Sequence, residues 1–372
     1  MVRGAKASAA RRLCSVGLLL ALAGAPAAAA QSDPQTALLE RDGWALVAAG
    51  NASAAAEAFR RALAAEPKSA RLHLGAGTAA FLARRDADAR DEAARALALD
   101  GSLTPALALL GQASYRLGDT AGAVQAFESL VAAAPDDRAA AATLERWRRE
   151  IDLHGRMRQA VSDHFTIAFE GPAEEALAHA ALDSLDRAYW RIGAILGTYP
   201  SDPITVVLYT AEQFRDVTRS PAWAAGAYDG TIRLPVRGAL EAPRELDRVL
   251  AHELAHAFVR TLAPRGVPVW LDEGIATALE TGEPGEWEKA VADRHAAVPL
   301  GQLQRSFGGL SGNDAHLAYA TSALAARRLI AEAGGAAVAN LLRDLGEGAE
   351  FRAAFLRRTQ RTFDDFQHDL RQ

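Results

Sequence analysis

The chain has 372 residues, half of them apolar, with 41 basic and 46 acidic side chains and a single cysteine. That length admits two domains and that apolar content excludes a disordered chain, while one cysteine excludes a disulfide framework, a cysteine zinc finger and a dithiol redox centre. Aromatics are only 6% and alanine is abundant, which favours helices packed through small side chains over a β-sandwich.

Residues 1–30 read as a leader and not as fold. Arg3, Lys6, Arg11 and Arg12 precede a short apolar run from Val16 to Ala23, and small residues end at Ala28-Ala29-Ala30 before Gln31. This is the pattern of a secretory signal peptide, too short for the roughly 20 residues of a membrane span. Cys14 precedes the apolar run, whereas a lipidated cysteine would end it. The expectation is a chain that starts near Gln31, is exported to the periplasm or secreted, and keeps no stable membrane anchor. Removing the four leader charges takes the formal charge from −5 to −9. An acidic chain without a basic cluster is a poor nucleic-acid binder.

From 31 to 136 one spacing recurs. Gly43, Gly77 and Gly111 stand 34 apart, as do Val47, Phe81 and Tyr115, and Gly50, Arg84 and Gly118. Ala55, Ala89 and Ala123 keep the step, then Phe59, Ala93 and Phe127, then Pro67, Gly101 and Pro135. The step predicts three helical hairpins, in which small residues allow close approach, Phe59 or Phe127 fills the gap, and Pro67 or Pro135 ends the second helix. The pattern resembles the tetratricopeptide repeat, with the middle unit departing at Ala93 and Gly101. The resemblance implies a short solenoid whose concave face binds a partner or substrate protein. Residues 137–162 read as a charged, solvated connecting helix.

Beyond 163 the period changes. Residues 164–169 alternate like a strand, 204–209 read as a buried strand, and 231–235 as a third, with a long helix from about 173 to 196 between the first two. A helix from about 243 to 262 carries His252-Glu253-Leu254-Ala255-His256. Histidines four apart project from one helix face, with stems about 6 Å apart, and can share one zinc. Glu253, next to the first, is placed to move a proton to and from water. Downstream, Pro264, Gly266 and Pro268 mark a turn before Trp270-Leu271-Asp272-Glu273-Gly274-Ile275-Ala276, which begins a second helix.

H-E-x-x-H followed by W-L-x-E-G-x-A resembles the gluzincin metallopeptidases, and is similar to the peptidase-MA-like domains found behind tetratricopeptide repeats. Over 163–372 the resemblance implies an α+β zinc metallopeptidase domain with a helical carboxy-terminal part. It further implies one Zn2+ per chain held by His252, His256 and Glu273, with Glu253 as general base and then acid in peptide hydrolysis. Glu280, seven residues after Glu273, returns to the same face and either orients a ligand histidine or is a solvated helix-end carboxylate. Asp272 is expected to face away from the cluster or cap the turn. Thr277 stands where the thermolysin-like pattern has an aspartate.

The strand near 230–234 resembles the gluzincin edge strand. Gly226-Ala227-Tyr228-Asp229-Gly230 loosely resembles the aminopeptidase stretch that holds a free amino terminus, beside an ordinary strand-turn reading. Many gluzincins supply a tyrosine or histidine to the oxyanion from downstream. Tyr319 is that candidate, with His316 one helical turn earlier as its competitor and a packed core tyrosine as the alternative. Two other functions stay open: an aminopeptidase turning on Asp229, and a cell-envelope binding or assembly factor with a weak or vestigial site.

Overall fold

A computed structural model describes residues 33–83, 85–218, 226–235, 243–281, 283–293, 297–303, 307, 310 and 312–370. The expected leader and cleavage site and Arg84 lie outside the described residues, as do Gly308, Gly309 and Ser311. The chain is mostly helical with one small mixed sheet, and divides into two compact units at Gly155–Arg156. Among the described residues no helix is long and apolar enough to cross a membrane.

The first unit is a run of helical hairpins: α1 (Pro34–Ala48) with α2 (Ala52–Ala65), α3 (Ala70–Leu82) with α4 (Asp86–Leu99), and α5 (Thr104–Arg116) with α6 (Thr120–Ala133). Starts are set locally, by Asn51 accepting from the Ala54 amide and Asp119 from that of Gly122. Gly50 and Gly118 turn the chain between paired helices at φ 75° and 81°, where a side chain would be strained. A Cβ on Gly43 would stand 2.8 Å from the Phe59 ring, and one on Gly111 would strike Phe127, so the 34-residue step records a glycine-on-phenylalanine contact. The middle unit lacks its phenylalanine. The space over Gly77 is taken by Leu109 of the next hairpin, 2.9 Å from the Cβ position.

The expected solvated helix over 137–162 is corrected in two respects. Helix α7 (Arg138–His154) ends eight residues early, and Arg158–Val161 forms strand β1. Nor is α7 solvated all round: Trp147 is 2% exposed, stacked on Tyr115 at 4.8 Å and edge-on to Phe127 at 4.5 Å. Tyr115 Oη donates to the buried Glu150 at 2.8 Å. This helix closes the apolar end of the last hairpin, as a terminal repeat must.

The second unit is built on a five-stranded sheet in the order β1-β2-β3-β5-β4, with β2 Phe165–Phe169, β3 Ile204–Tyr209, β4 Ala227–Tyr228 and β5 Ile232–Pro235. Pairs β2/β3 and β3/β5 are parallel and the two edge pairs antiparallel. Phe165, Ile167, Val206, Leu208, Ile232 and Leu234 form one buried face with α8 (Pro172–Leu196) and α10 (Pro243–Leu262). The opposite face carries Val207, Tyr209 and the buried Arg233, near the short helix α9 (Ala211–Thr218). The edge-strand expectation for 230–234 is corrected: β4 pairs along Ile232 and Arg233 and itself forms that edge.

Helix α11 (Val269–Glu280) packs between α10 and α13 (Gly312–Ala333), and α12 (Glu286–Asp293) lies on α13. A Cβ on Gly274 would collide with the Ser322 carbonyl, so α11 and α13 meet backbone to backbone. Helices α14 (Gly335–Gly346), α15 (Phe351–Thr359) and α16 (Phe363–Asp369) complete the unit. With α13 they make up the helical carboxy-terminal part that the sequence leads one to expect.

Candidate metal centre

Helix α10 is apolar around its motif: Leu250, Ala251, Leu254, Ala255, Ala257 and Phe258 are all buried. Burying that face against the sheet and α8 turns His252 and His256 toward α11, where both are half-buried. Their Nε2 atoms stand 3.2 Å apart, and Glu273 Oε2 is 3.8 Å from each. Ligand atoms 2.0–2.2 Å from one tetrahedral zinc are about 3.3–3.6 Å from one another. Two imidazole nitrogens and one carboxylate oxygen at these separations fit that ion with a coordination position to spare. Among the described residues these three form a group able to hold a metal.

Each histidine is oriented by its other nitrogen. His252 Nδ1 is 2.7 Å from Glu280 Oε1, and His256 Nδ1 is 2.8 Å from Asp272 Oδ1. Carboxylates accept only, so both Nδ1 atoms carry a proton and each Nε2 is the nitrogen left to face Glu273. The expectation that Asp272 faces away or caps the turn is corrected. It stands in the first turn of α11, close enough to His256 to hold its ring, and sequence spacing carries no sign of this pairing across a turn. Of the two readings of Glu280, the orienting one matches its position.

Glu280 is itself held. Its Oε2 accepts from Arg248 Nη1 at 2.8 Å, and Arg248 also forms a two-point pair with Glu245. Arg191 of α8 donates to the Leu279 carbonyl at 2.8 Å, tying off the end of α11. Burial opposes ionisation of Glu280, but His252 and Arg248 outweigh it and lower its pKa.

Glu253 is 6% exposed, and burial raises its pKa against the pull of the two histidines. A Cβ on Gly226 would lie 2.7 Å from Glu253 Oε1, so a side chain there would have to displace this carboxylate from its place beside the chain entering β4. Burial disfavours charge on His256, but Asp272, Glu273 and Glu253 push it up to about 10. Four carboxylates around two imidazoles make the cluster a place that stabilises positive charge, a proton or a metal cation alike.

Asp229 and Tyr319 each have a neighbour of their own. Asp229 follows β4 in a strand-turn, its carboxylate engaged by Arg233 Nε at 3.1 and 3.2 Å. Tyr319 is half-buried in α13, its ring edge-on to Phe307 at 5.1 Å, and His316 is exposed.

No protein-family model matches the chain, and no curated protein matches it. Among solved structures it is similar to one described as the first TPR of Spaghetti (RPAP3) bound to HSP90 peptide SRMEEVD. That likeness has 20% identity and a TM-score of 0.32, covering 33% of this chain and 99% of the other.

Proposed function

We propose that the second unit is a zinc-dependent peptidase of gluzincin type and that the first is a tetratricopeptide-type solenoid presenting a partner or substrate protein. The observation that carries the peptidase reading is the convergence of His252 Nε2, His256 Nε2 and Glu273 Oε2, with each histidine's far nitrogen tied to its own carboxylate. Zinc, when bound, would polarise a substrate carbonyl and acidify water. His252 and His256 would offer neutral Nε2 lone pairs to it, held in that tautomer by Glu280 and Asp272, and Glu273 would supply the third ligand. Glu253 would take a proton from the attacking water and return it to the leaving amine. Its burial favours the protonated intermediate state of that cycle.

The 34-residue step and the glycine–phenylalanine contacts support the repeat reading. Export, with the leader of residues 1–30 removed, rests on the sequence pattern. An aminopeptidase is less favoured, because Asp229 is committed to Arg233. A binding factor with a weak or vestigial site is less favoured because all four motif residues and both orienting carboxylates are in place.

The test is metal analysis with cleavage of an unfolded protein, with and without a chelator. One zinc per chain and chelator-sensitive cleavage are expected. A metal-free, inactive wild type would sink the reading, and wild-type zinc affinity in Glu273→Ala would move the third ligand elsewhere.

A further inference from the structure

Strand β4 brings a second tyrosine to this site. In the antiparallel pair, Tyr228 lies opposite Ile232, and directly opposed residues share a face of the sheet. Ile232 is fully buried on the face covered by α8 and α10, so Tyr228 belongs to that face too, where it is half-buried and packs on the core. Gly226, two residues earlier, shares its side by alternation, and the Cβ direction of Gly226 points at Glu253 Oε1. Helix α10 packs against β4. Two strand residues advance about 7 Å, close to the rise of about 6 Å over four helical residues that leads from Glu253 past His256. Asp272, the partner of His256, and Arg260, one helical turn beyond His256, both act electrostatically on the Tyr228 hydroxyl, which places Tyr228 at the His256 end of the cluster. Its hydroxyl has no hydrogen-bond partner among the described residues, whereas a phenol in such a place is ordinarily paired.

We propose that Tyr228 is a catalytic residue of this site, its hydroxyl donating a hydrogen bond to the carbonyl oxygen of the bond being cleaved as negative charge develops there. This rests on the peptidase reading and gives the donor role, expected of Tyr319, to a residue on the sheet edge. Tyr319 packs edge-on to Phe307 in the helical half of the unit. The phenol keeps its proton. Burial raises its pKa, Arg260 opposes this, and Asp229 and Asp272 reinforce it.

The experiment compares full-length, zinc-loaded wild type with Tyr228→Phe and Tyr319→Phe. It measures zinc content, thermal midpoint, cleavage of an unfolded protein, and equilibrium binding of a phosphonate tripeptide whose tetrahedral anion mimics the reacting centre. Tyr228→Phe is expected to keep zinc and its midpoint and to lose ten- to a thousand-fold in kcat with little change in KM. It should also bind the phosphonate at least ten-fold more weakly, with Tyr319→Phe near wild type in both. Wild-type kcat and phosphonate affinity in Tyr228→Phe would overturn the assignment, as would loss of zinc, which makes the residue structural. A wild type that holds no zinc and binds no phosphonate would overturn the peptidase reading itself.

Discussion

Arg248 stands one helical turn before His252 and reaches it only through Glu280, with distances of 2.8 and 2.7 Å along the relay. Removing the guanidinium leaves Glu280 half-buried with one partner fewer, free to rotate away from His252. Arg248→Gln should therefore weaken zinc binding by about ten- to a hundred-fold, the range found for outer-shell partners. Competition against a chelator measures this, and Arg248→Lys should recover part of it by restoring the charge without the fork. Glu253→Gln should behave oppositely, keeping zinc and losing hydrolysis, because the amide removes the base and no ligand. Metal content of the two variants at equal concentration separates them. These residues were unequally legible in the sequence. His252 and His256 follow from the four-residue helical spacing, Glu273 only from the resemblance of the two motifs to the gluzincin pattern, and Glu280 from a seven-residue return to the face of Glu273. Asp272 and Gly226 act through contacts between elements, and no period within either element encodes those contacts.

Helix α11 carries three of the carboxylates and is pressed against α13 at Gly274, where a methyl group would strike the Ser322 carbonyl. Backbone yields less readily than a side-chain tip, so Gly274→Ala should push α11 outward. A cost of about 1–3 kcal/mol is expected, read by denaturant unfolding, together with weakened zinc binding because Asp272, Glu273 and Glu280 move as a body. A second clamp joins α14 to α15. Asp344 accepts from Arg358 at both oxygens and from Arg357, and Arg358 above all holds its pKa down to about 2 against the opposing effect of burial. A carboxyl with a lowered folded pKa contributes stability above its unfolded value near 4 and loses it as pH falls toward 2. Asp344→Asn should thus lower the thermal midpoint at pH 6 and approach wild type by pH 2.5; a gap independent of pH would contradict the ion pair. Salt should shrink the effect, since both arginines are partly exposed. At this scale strongly periodic segments were readable, among them the 34-residue repeats and α8. Strand β1 was not: Arg158-Gln159-Ala160-Val161 lies mostly exposed at a sheet edge and shows little alternation.

The two units divide at Gly155–Arg156, which gives α7 to the repeats. The reason is energetic. The last hairpin exposes Tyr115 and Phe127 along one edge, and Trp147 covers both, with Leu144 and Ala140 extending the seal. Burying an indole and two phenyl rings exceeds what the charges of α7 gain from water, so a helix that reads as solvated becomes a cap. Its polar face, with Arg148 paired to Glu128 and Glu145, stays outward. Truncation therefore has a sharp expected outcome. A chain of residues 31–155 should unfold as one cooperative helical unit, whereas one of residues 31–136 should melt at markedly lower temperature and aggregate through the uncovered aromatic edge. Trp147→Ala in the full chain should cost about 3–5 kcal/mol, confined to the first unit, because the change leaves a cavity between α5 and α6. Hydrogen exchange in both units reports where the loss falls. Zinc binding should be untouched, since the three candidate ligands, His252, His256 and Glu273, all lie in the second unit. Loss of zinc in Trp147→Ala would show that the two units fold as one.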